Sequence, residues 1–208
     1  MKGLFITFEG PDASGKTTQI DLLRRRLSDS GLDPVVTREP GGTPVGEKIR
    51  NILLDRENAG KITPETEMLL YAASRAQHVA EVIKPALEAG RIVISDRFYD
   101  SSEAYQGYAR GLGDMVRVVN EPAVGGIKPD VTFLLMTSSA DVKERRSESE
   151  YDRMDAESES FKRRVAEGFE AIAERDSGRV VRIDGRRSIG DIAAEIAEVT
   201  GRLTGRKL

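Results

Sequence analysis

The chain has 208 residues, 38% hydrophobic and 32% charged, with 32 basic against 35 acidic side chains for a net charge of −3. That is a globular composition at the size of one domain, and its slight acidic excess argues against coating nucleic acid by bulk attraction. With no cysteine and a single histidine, His78, it has no disulfides, no thiolate chemistry and no His-rich metal site.

Leu4-Phe5-Ile6-Thr7-Phe8 is a short, almost continuously apolar run that stops at Gly10-Pro11, as a strand buried on both faces does. Gly10-Pro11-Asp12-Ala13-Ser14-Gly15-Lys16-Thr17-Thr18 follows it and opens a helix, in the pattern G-x-x-x-x-G-K-[ST]. The glycines let backbone N–H groups turn inward around phosphate oxygens, and the helix start adds free donors and a positive dipole end. Lys16 brings a full charge to the β- and γ-phosphates, and the Thr17 hydroxyl is a ligand for Mg²⁺. The bland alternative is a chance Gly-rich turn. The motif alone points to a nucleoside triphosphate without naming the reaction.

A weaker strand, Pro34-Val35-Val36-Thr37, leads into Thr37-Arg38-Glu39-Pro40-Gly41-Gly42-Thr43, with Arg50 one helix later. The clearest helix covers about 64 to 88, with Thr63 as cap, Pro64 in its first turn and Gly90 as its stop. Its predicted apolar face is Leu69, Ala72, Ala73, Ala76, Val79, Ile83 and Leu87. Tyr71 and Arg75 lie four apart, off that face. They suit stacking on a base and forking onto its carbonyl edge, or else are a surface ring beside a solvated arginine.

Ile92-Val93-Ile94 is a third strand, ending at Asp96-Arg97-Phe98 and running into Ser101-Ser102-Glu103-Ala104-Tyr105-Gln106-Gly107. An acid and an arginine at a strand end form a structural ion pair in the simplest reading. Beside a P-loop, metal and phosphate work is the better one. Val131–Met136 and Val180–Ile183 complete five strands, and a last helix spans about 189 to 203. Strands alternating with helices predict an α/β fold, a parallel sheet with helices on both faces. Residues 143–160 are rich in charge and poor in large apolar side chains. They read as a solvated loop, or as a lid that brings arginines over a charged ligand. No apolar run approaches the ~18 residues of a membrane span. The N-terminus shows no leader pattern, so the expected address is the cytoplasm.

Together, Phe8-Glu9-Gly10-Pro11-Asp12, the Thr37–Thr43 run, Leu70-Tyr71-Ala72-Ala73-Ser74-Arg75, Asp96-Arg97-Phe98 and Ser101–Gly107 resemble the thymidylate kinase family, in its bacterial branch. Order and spacing agree from about residue 4 to 200. The resemblance implies a P-loop three-layer sandwich with a five-stranded parallel sheet and a mobile lid. It implies transfer of phosphate from ATP to dTMP with Mg²⁺, and a homodimer.

Position by position, Gly10–Thr18 would hold ATP, and Asp12 the sugar 3′-hydroxyl. Arg97 and Arg50 would grip the dTMP phosphate and Tyr71 stack on thymine. Arg75 and Ser102 would bond the base edge, with Gln106 near the base. Tyr105 would sit beside the sugar, excluding a 2′-hydroxyl. Glu39 and Asp96 would act around the metal and its waters. Ala13 stands where some members carry a P-loop arginine, so transition-state charge would come from the lid, from Arg145, Arg146 or Arg153. Asp152-Arg153-Met154-Asp155 best fits the family's lid pattern, which makes Arg153 the leading candidate. Phe98 replaces the usual Tyr, and the lid is rich in Ser and Glu.

Two rivals remain. A kinase for UMP, CMP or AMP on the same scaffold would show itself in a panel of acceptors. A nucleotide switch would carry a guanine-binding Asn-Lys-x-Asp motif, and none is present.

Overall fold

The computed structural model describes residues 3–137 and 152–208. Five strands, β1 (Leu4–Glu9), β2 (Val35–Arg38), β3 (Ile92–Asp96), β4 (Val131–Met136) and β5 (Val180–Asp184), form one parallel sheet in the order β2-β3-β1-β4-β5. The predicted α/β class and strand count hold, with β3 and β5 running slightly longer than their apolar runs. Helices α1 (Lys16–Asp29), α2 (Pro44–Leu54), α3 (Pro64–His78), α4 (Lys84–Glu88), α5 (Tyr99–Ser102), α6 (Met115–Val124), α7 (Glu159–Arg175) and α8 (Ile189–Thr204) connect and cover it.

Alternation along β1 splits the core. Ile6 and Phe8 face one side, with Ile20, Leu23 and Leu27 of α1 and Ile192 and Ile196 of α8. Phe5 faces the other, with Val79, Ile83, Val93 and Phe98. On that second side the strand becomes polar toward its end. Thr7 shares a 2.7 Å hydrogen bond with Thr132, and Glu9 is fully buried.

The helix predicted over 64–88 is continuous but not uniform. A turn with i→i+5 hydrogen bonding, Val79–Ile83, joins α3 to α4. A second such wide segment, Glu103–Ala109, continues α5, and Arg110 N donates to Tyr105 O at 2.9 Å. Thr63 caps α3 as expected, accepting from Thr66 N.

The predicted apolar face holds at Ala72, Val79, Ile83 and Leu87 but fails at three positions of α3. Leu69, Ala73 and Ala76 point to solvent, and Leu69 is 55% exposed. The buried side carries Glu67, Met68, Ala72, Ser74, Arg75 and His78. Burial there follows hydrogen-bonded charge, which a hydropathy count reads as solvent-facing. The expectation that 143–160 adds little to the core also fails for its described end. Met154 is buried with Phe161 and Leu134, and Arg153 is buried as well.

Candidate active site at the carboxyl edge of the sheet

Register brings the motifs together. Phe8 of β1 lies beside Asp96 of β3, and Arg38 of β2 lies on the other side of Asp96. The segments that follow these strands therefore emerge side by side: Gly10–Thr18, Arg97 and Glu39–Thr43. This is the edge at which open α/β sheets bind ligands.

Gly10 has φ of +129°, and a Cβ there would lie 2.1 Å from the Leu135 carbonyl oxygen, so the turn admits only glycine. Gly15, at φ of 96°, begins α1. No side chain caps this helix and no acid sits in its first turn, whereas Thr43, Thr63, Ser158 and Ser188 cap α2, α3, α7 and α8. Uncapped N–H groups suit an anion. Lys16 Nζ donates to Gly10 O at 3.1 Å and Pro11 O at 2.7 Å. Burial, and then the Arg97 charge, lower its pKa to about 8. Ser14 Oγ is buried without a hydrogen-bond partner among the described residues, and Thr17 and Thr18 are exposed. The Gly185 turn packs on this loop: a Cβ on Gly185 would lie 3.3 Å from Ser14 O.

Next to the loop lies a cleft of about 550 Å³. Its walls include Asp12, Glu39, Arg50, Tyr71, Arg75, Arg97, Ser102, Tyr105 and Gln106, so the predicted acceptor residues converge on one space. Arg97 has φ of +70°, unusual for a side-chain-bearing residue. Its guanidinium donates to Asp12 Oδ1 at 2.8 Å and Ser101 Oγ at 2.9 Å, and lies over the Tyr105 ring. Burial opposes its charge, but the surrounding Tyr105, Asp12, Asp96 and Glu9 outweigh that and raise its pKa.

Arg75 is fully enclosed. Its Nε donates to Glu39 Oε2 at 2.8 Å, its Nη1 to Ser102 Oγ at 3.1 Å and to Asn120 Oδ1, and it lies over the Phe98 ring. The surface-pair reading of Tyr71 and Arg75 is thereby excluded. Arg50 donates to Pro40 O at 3.0 Å. Burial, and then the nearby Arg38 cation, disfavour its charge, so an incoming phosphate is favoured there.

Asp96 Oδ1 is buried with no hydrogen-bond partner among the described residues. Glu39 is differently placed: both its oxygens are taken, by Arg75 and by His78 Nδ1 at 2.9 Å. It is thereby the anchor that holds the Arg75 guanidinium at the cleft. Arg153 is not water-exposed as the lid reading required. Its Nη2 donates to Glu67 Oε2 and its Nε to Leu53 O, both at 2.6 Å. Arg145 and Arg146 lie outside the described residues.

Sequence reading missed three groups. Glu9 accepts from Phe98 N at 2.7 Å and Ser101 Oγ at 2.5 Å, tying the start of the P-loop to the Arg97 turn. Burial first, then Asp100, raise its pKa to about 7 against the pull of Arg97. His78 joins Glu39 to Thr37 Oγ1, which is 2.7 Å from Nε2, and Glu67 gathers three basic or amide side chains. Glu9 could have been suspected as an acid within an apolar strand. The other two lie on the face that hydropathy assigned to solvent.

A family model described as thymidylate kinase matches residues 8–196. A thymidylate kinase of Thermoanaerobacter sp. (strain X514) is 51% identical over 200 residues, covering 96% of this chain and 98% of that protein. One from Halothermothrix orenii is 48% identical, covering 94% and 95% respectively. The crystal structure of thymidylate kinase from Ehrlichia chaffeensis superposes with a TM-score of 0.76 at 34% identity, covering 96% of this chain and 99% of that one. On the family match over residues 8–196 and these near full-length likenesses, the chain belongs to the thymidylate kinase family.

Proposed function

We propose that this kinase, which transfers the γ-phosphate of ATP to dTMP to give dTDP and ADP, works by positioning and charge neutralisation alone. The observation that carries this division of labour is the contact between two spaces: Asp12 and Arg97 join the P-loop to the cleft of Tyr71, Arg75 and Tyr105. Gly10–Thr18 holds the donor phosphates, with Lys16 as their cation. Arg97 and Arg50 hold the acceptor phosphate, Tyr71 stacks on the base, and Arg75 with Ser102 addresses its edge. Gln106 lies close to the base and Tyr105 beside the sugar. Asp12 takes the 3′-hydroxyl and, through Arg97, keeps the acceptor in line with the donor.

Among the described residues no cluster of three metal-binding side chains exists. That agrees with Mg²⁺ held by few protein oxygens and mostly by phosphate and water. The partnerless Asp96 Oδ1 and the exposed Thr17 hydroxyl fit that role. When bound, Mg²⁺ neutralises charge on the donor phosphate oxygens. The homodimer is supported by the solvent-facing apolar side chains of three adjacent helices, Val45 and Ile52 of α2, Leu69 of α3, and Met115 and Val118 of α6. A cytoplasmic location belongs to the same reading; no helix among the described residues is long and apolar enough to cross a membrane. ADP release measured across dTMP, dUMP, UMP, CMP and AMP tests the reading. Equal turnover of UMP or AMP would overturn the assignment of the cleft to thymine.

Arg75→Ala is expected to weaken dTMP binding by roughly 1.5–3 kcal/mol, the worth of a charge-assisted bond, with ATP binding nearly unchanged. It also leaves buried Glu39 with only His78 of its two side-chain partners, which costs stability. Calorimetric titration with each nucleotide separates the two sites, and an unchanged dTMP affinity would remove Arg75 from the base. Tyr105→Ala is expected to narrow the preference for dTMP over its ribose counterpart, since the ring leaves no room for a 2′-hydroxyl. The ratio of kcat/KM for the two acceptors reads this directly, and an unmoved ratio clears Tyr105 of the role.

A further inference from the structure

Glu67 lies on α3 one turn before Tyr71 and is 1% exposed. Four donors converge on its two oxygens. Gln106 Nε2 lies 2.8 Å from Oε1 and Arg110 Nε 3.1 Å from it, while Arg110 Nη2 lies 3.0 Å and Arg153 Nη2 2.6 Å from Oε2. Burial alone would raise this carboxyl, but the Arg110 and Gln106 hydrogen bonds and the Arg153 charge hold it below its usual range. The carboxylate accepts only, so it fixes the Gln106 amide with its NH₂ turned toward α3. Arg153 also donates to the carboxyl end of α2, from Nε to Leu53 O and from its backbone N to Leu54 O at 3.2 Å. Those are helix-terminal carbonyls with no partner inside their own helix. The same arginine thus binds α2, which carries Arg50, to α3, which carries Tyr71 and Arg75. It also brings its neighbours Asp152 and Met154 into the wall of the acceptor cleft.

We propose that Glu67 and Arg153 are a pair of positioning residues that set the far wall of the acceptor cleft, and that Arg153 acts through this tether and not as a charge on the transferring phosphate. The guanidinium is buried between Glu67 and the end of α2. The two roles separate kinetically. A transition-state charge shows its loss in kcat, whereas a wall-setting tether shows it in the acceptor KM.

The test is a double-mutant cycle on the full chain with Glu67→Gln, Arg153→Ala and the pair, plus Arg153→Lys as the conservative variant. Each single change is expected to raise the KM for dTMP about tenfold or more, as loss of a charge-assisted bond does. The KM for ATP and kcat stay within a few-fold. The double variant falls well short of the product of the two single effects, because both singles remove the shared Glu67–Arg153 contact. Arg153→Lys recovers part of the affinity. A fall in kcat of about 10²-fold for Arg153→Ala at unchanged dTMP KM would overturn the proposal. Effects that multiply in the double variant would do the same, as would lowered melting temperatures with every KM intact. Glu67→Gln is nearly isosteric and keeps the cycle informative if Arg153→Ala folds poorly. Failure of the wild-type chain to phosphorylate dTMP would be a separate result, against the assigned reaction and not against the tether.

Discussion

Lys16→Ala is expected to lower kcat by more than about 10³-fold while leaving the protein folded, because the lost cation meets charge that peaks at the transferring phosphate. The fold survives for a physical reason. Lys16 is a buried cation that already works against its own desolvation, which is why its pKa falls to about 8, and among the described residues its side chain bonds to carbonyls of its own loop. Removing it takes away a desolvated charge and breaks no direct ion pair among the described residues, although Asp96, Asp12 and Glu9 lose a nearby cation. The same shift fixes a pH dependence. Above pH 8 the free protein holds Lys16 increasingly neutral, so nucleotide binding there must take up a proton. Calorimetry in two buffers of different ionisation enthalpy measures the uptake, and an ADP-release assay beside a thermal melt measures the rest. Near-wild-type turnover in the pure variant would sink the P-loop assignment.

Arg97→Ala is expected to lower kcat/KM for dTMP by about 10³-fold, with ATP affinity little changed. Here one side chain combines charge with geometry. Its guanidinium bridges Asp12 and Ser101, and its backbone sits at φ of +70°. Alanine loses the charge and keeps the left-handed strain, which is worth roughly 1–2 kcal/mol. Arg97→Gly loses the charge and relieves the strain. The glycine variant should therefore melt higher than the alanine variant and be equally inactive. If glycine restored turnover, the backbone and not the guanidinium would be the source of activity.

Much of this was legible from residue order. The strands announced themselves as apolar runs, and Gly10–Thr18 states its chemistry in residue types that few other structures require. The cleft was legible only through the joint presence of Tyr71, Arg75, Arg97 and Tyr105, since each alone has an innocuous reading. What escaped was the interior of α3. Glu67, Ser74, Arg75 and His78 are inside because each finds a partner far away in sequence: Glu67 meets Arg153, and Arg75 meets Glu39 and Asn120. Periodicity registers apolar spacing, and paired charge has none. The same blindness made Arg153 look solvated. Its neighbours in sequence are acidic and serine-rich, and nothing local says that a carboxylate 86 positions earlier waits for it.

The wide turn at Glu103–Ala109 carries a consequence for how this site can change over time. Tyr105 and Gln106 lie inside a stretch that winds with more residues per turn than an α-helix, so their directions depend on how many residues the stretch contains. Elsewhere an insertion or deletion is absorbed by a loop and leaves the neighbouring elements where they were. Between Tyr99 and Ala109 it would instead turn the later side chains of that stretch about the helix axis, exchanging those that line the cleft for those that meet α7. The lining of this cleft is therefore open to alteration by counting as well as by substitution: one residue more or fewer presents a different row of side chains to Asp12 and Arg97.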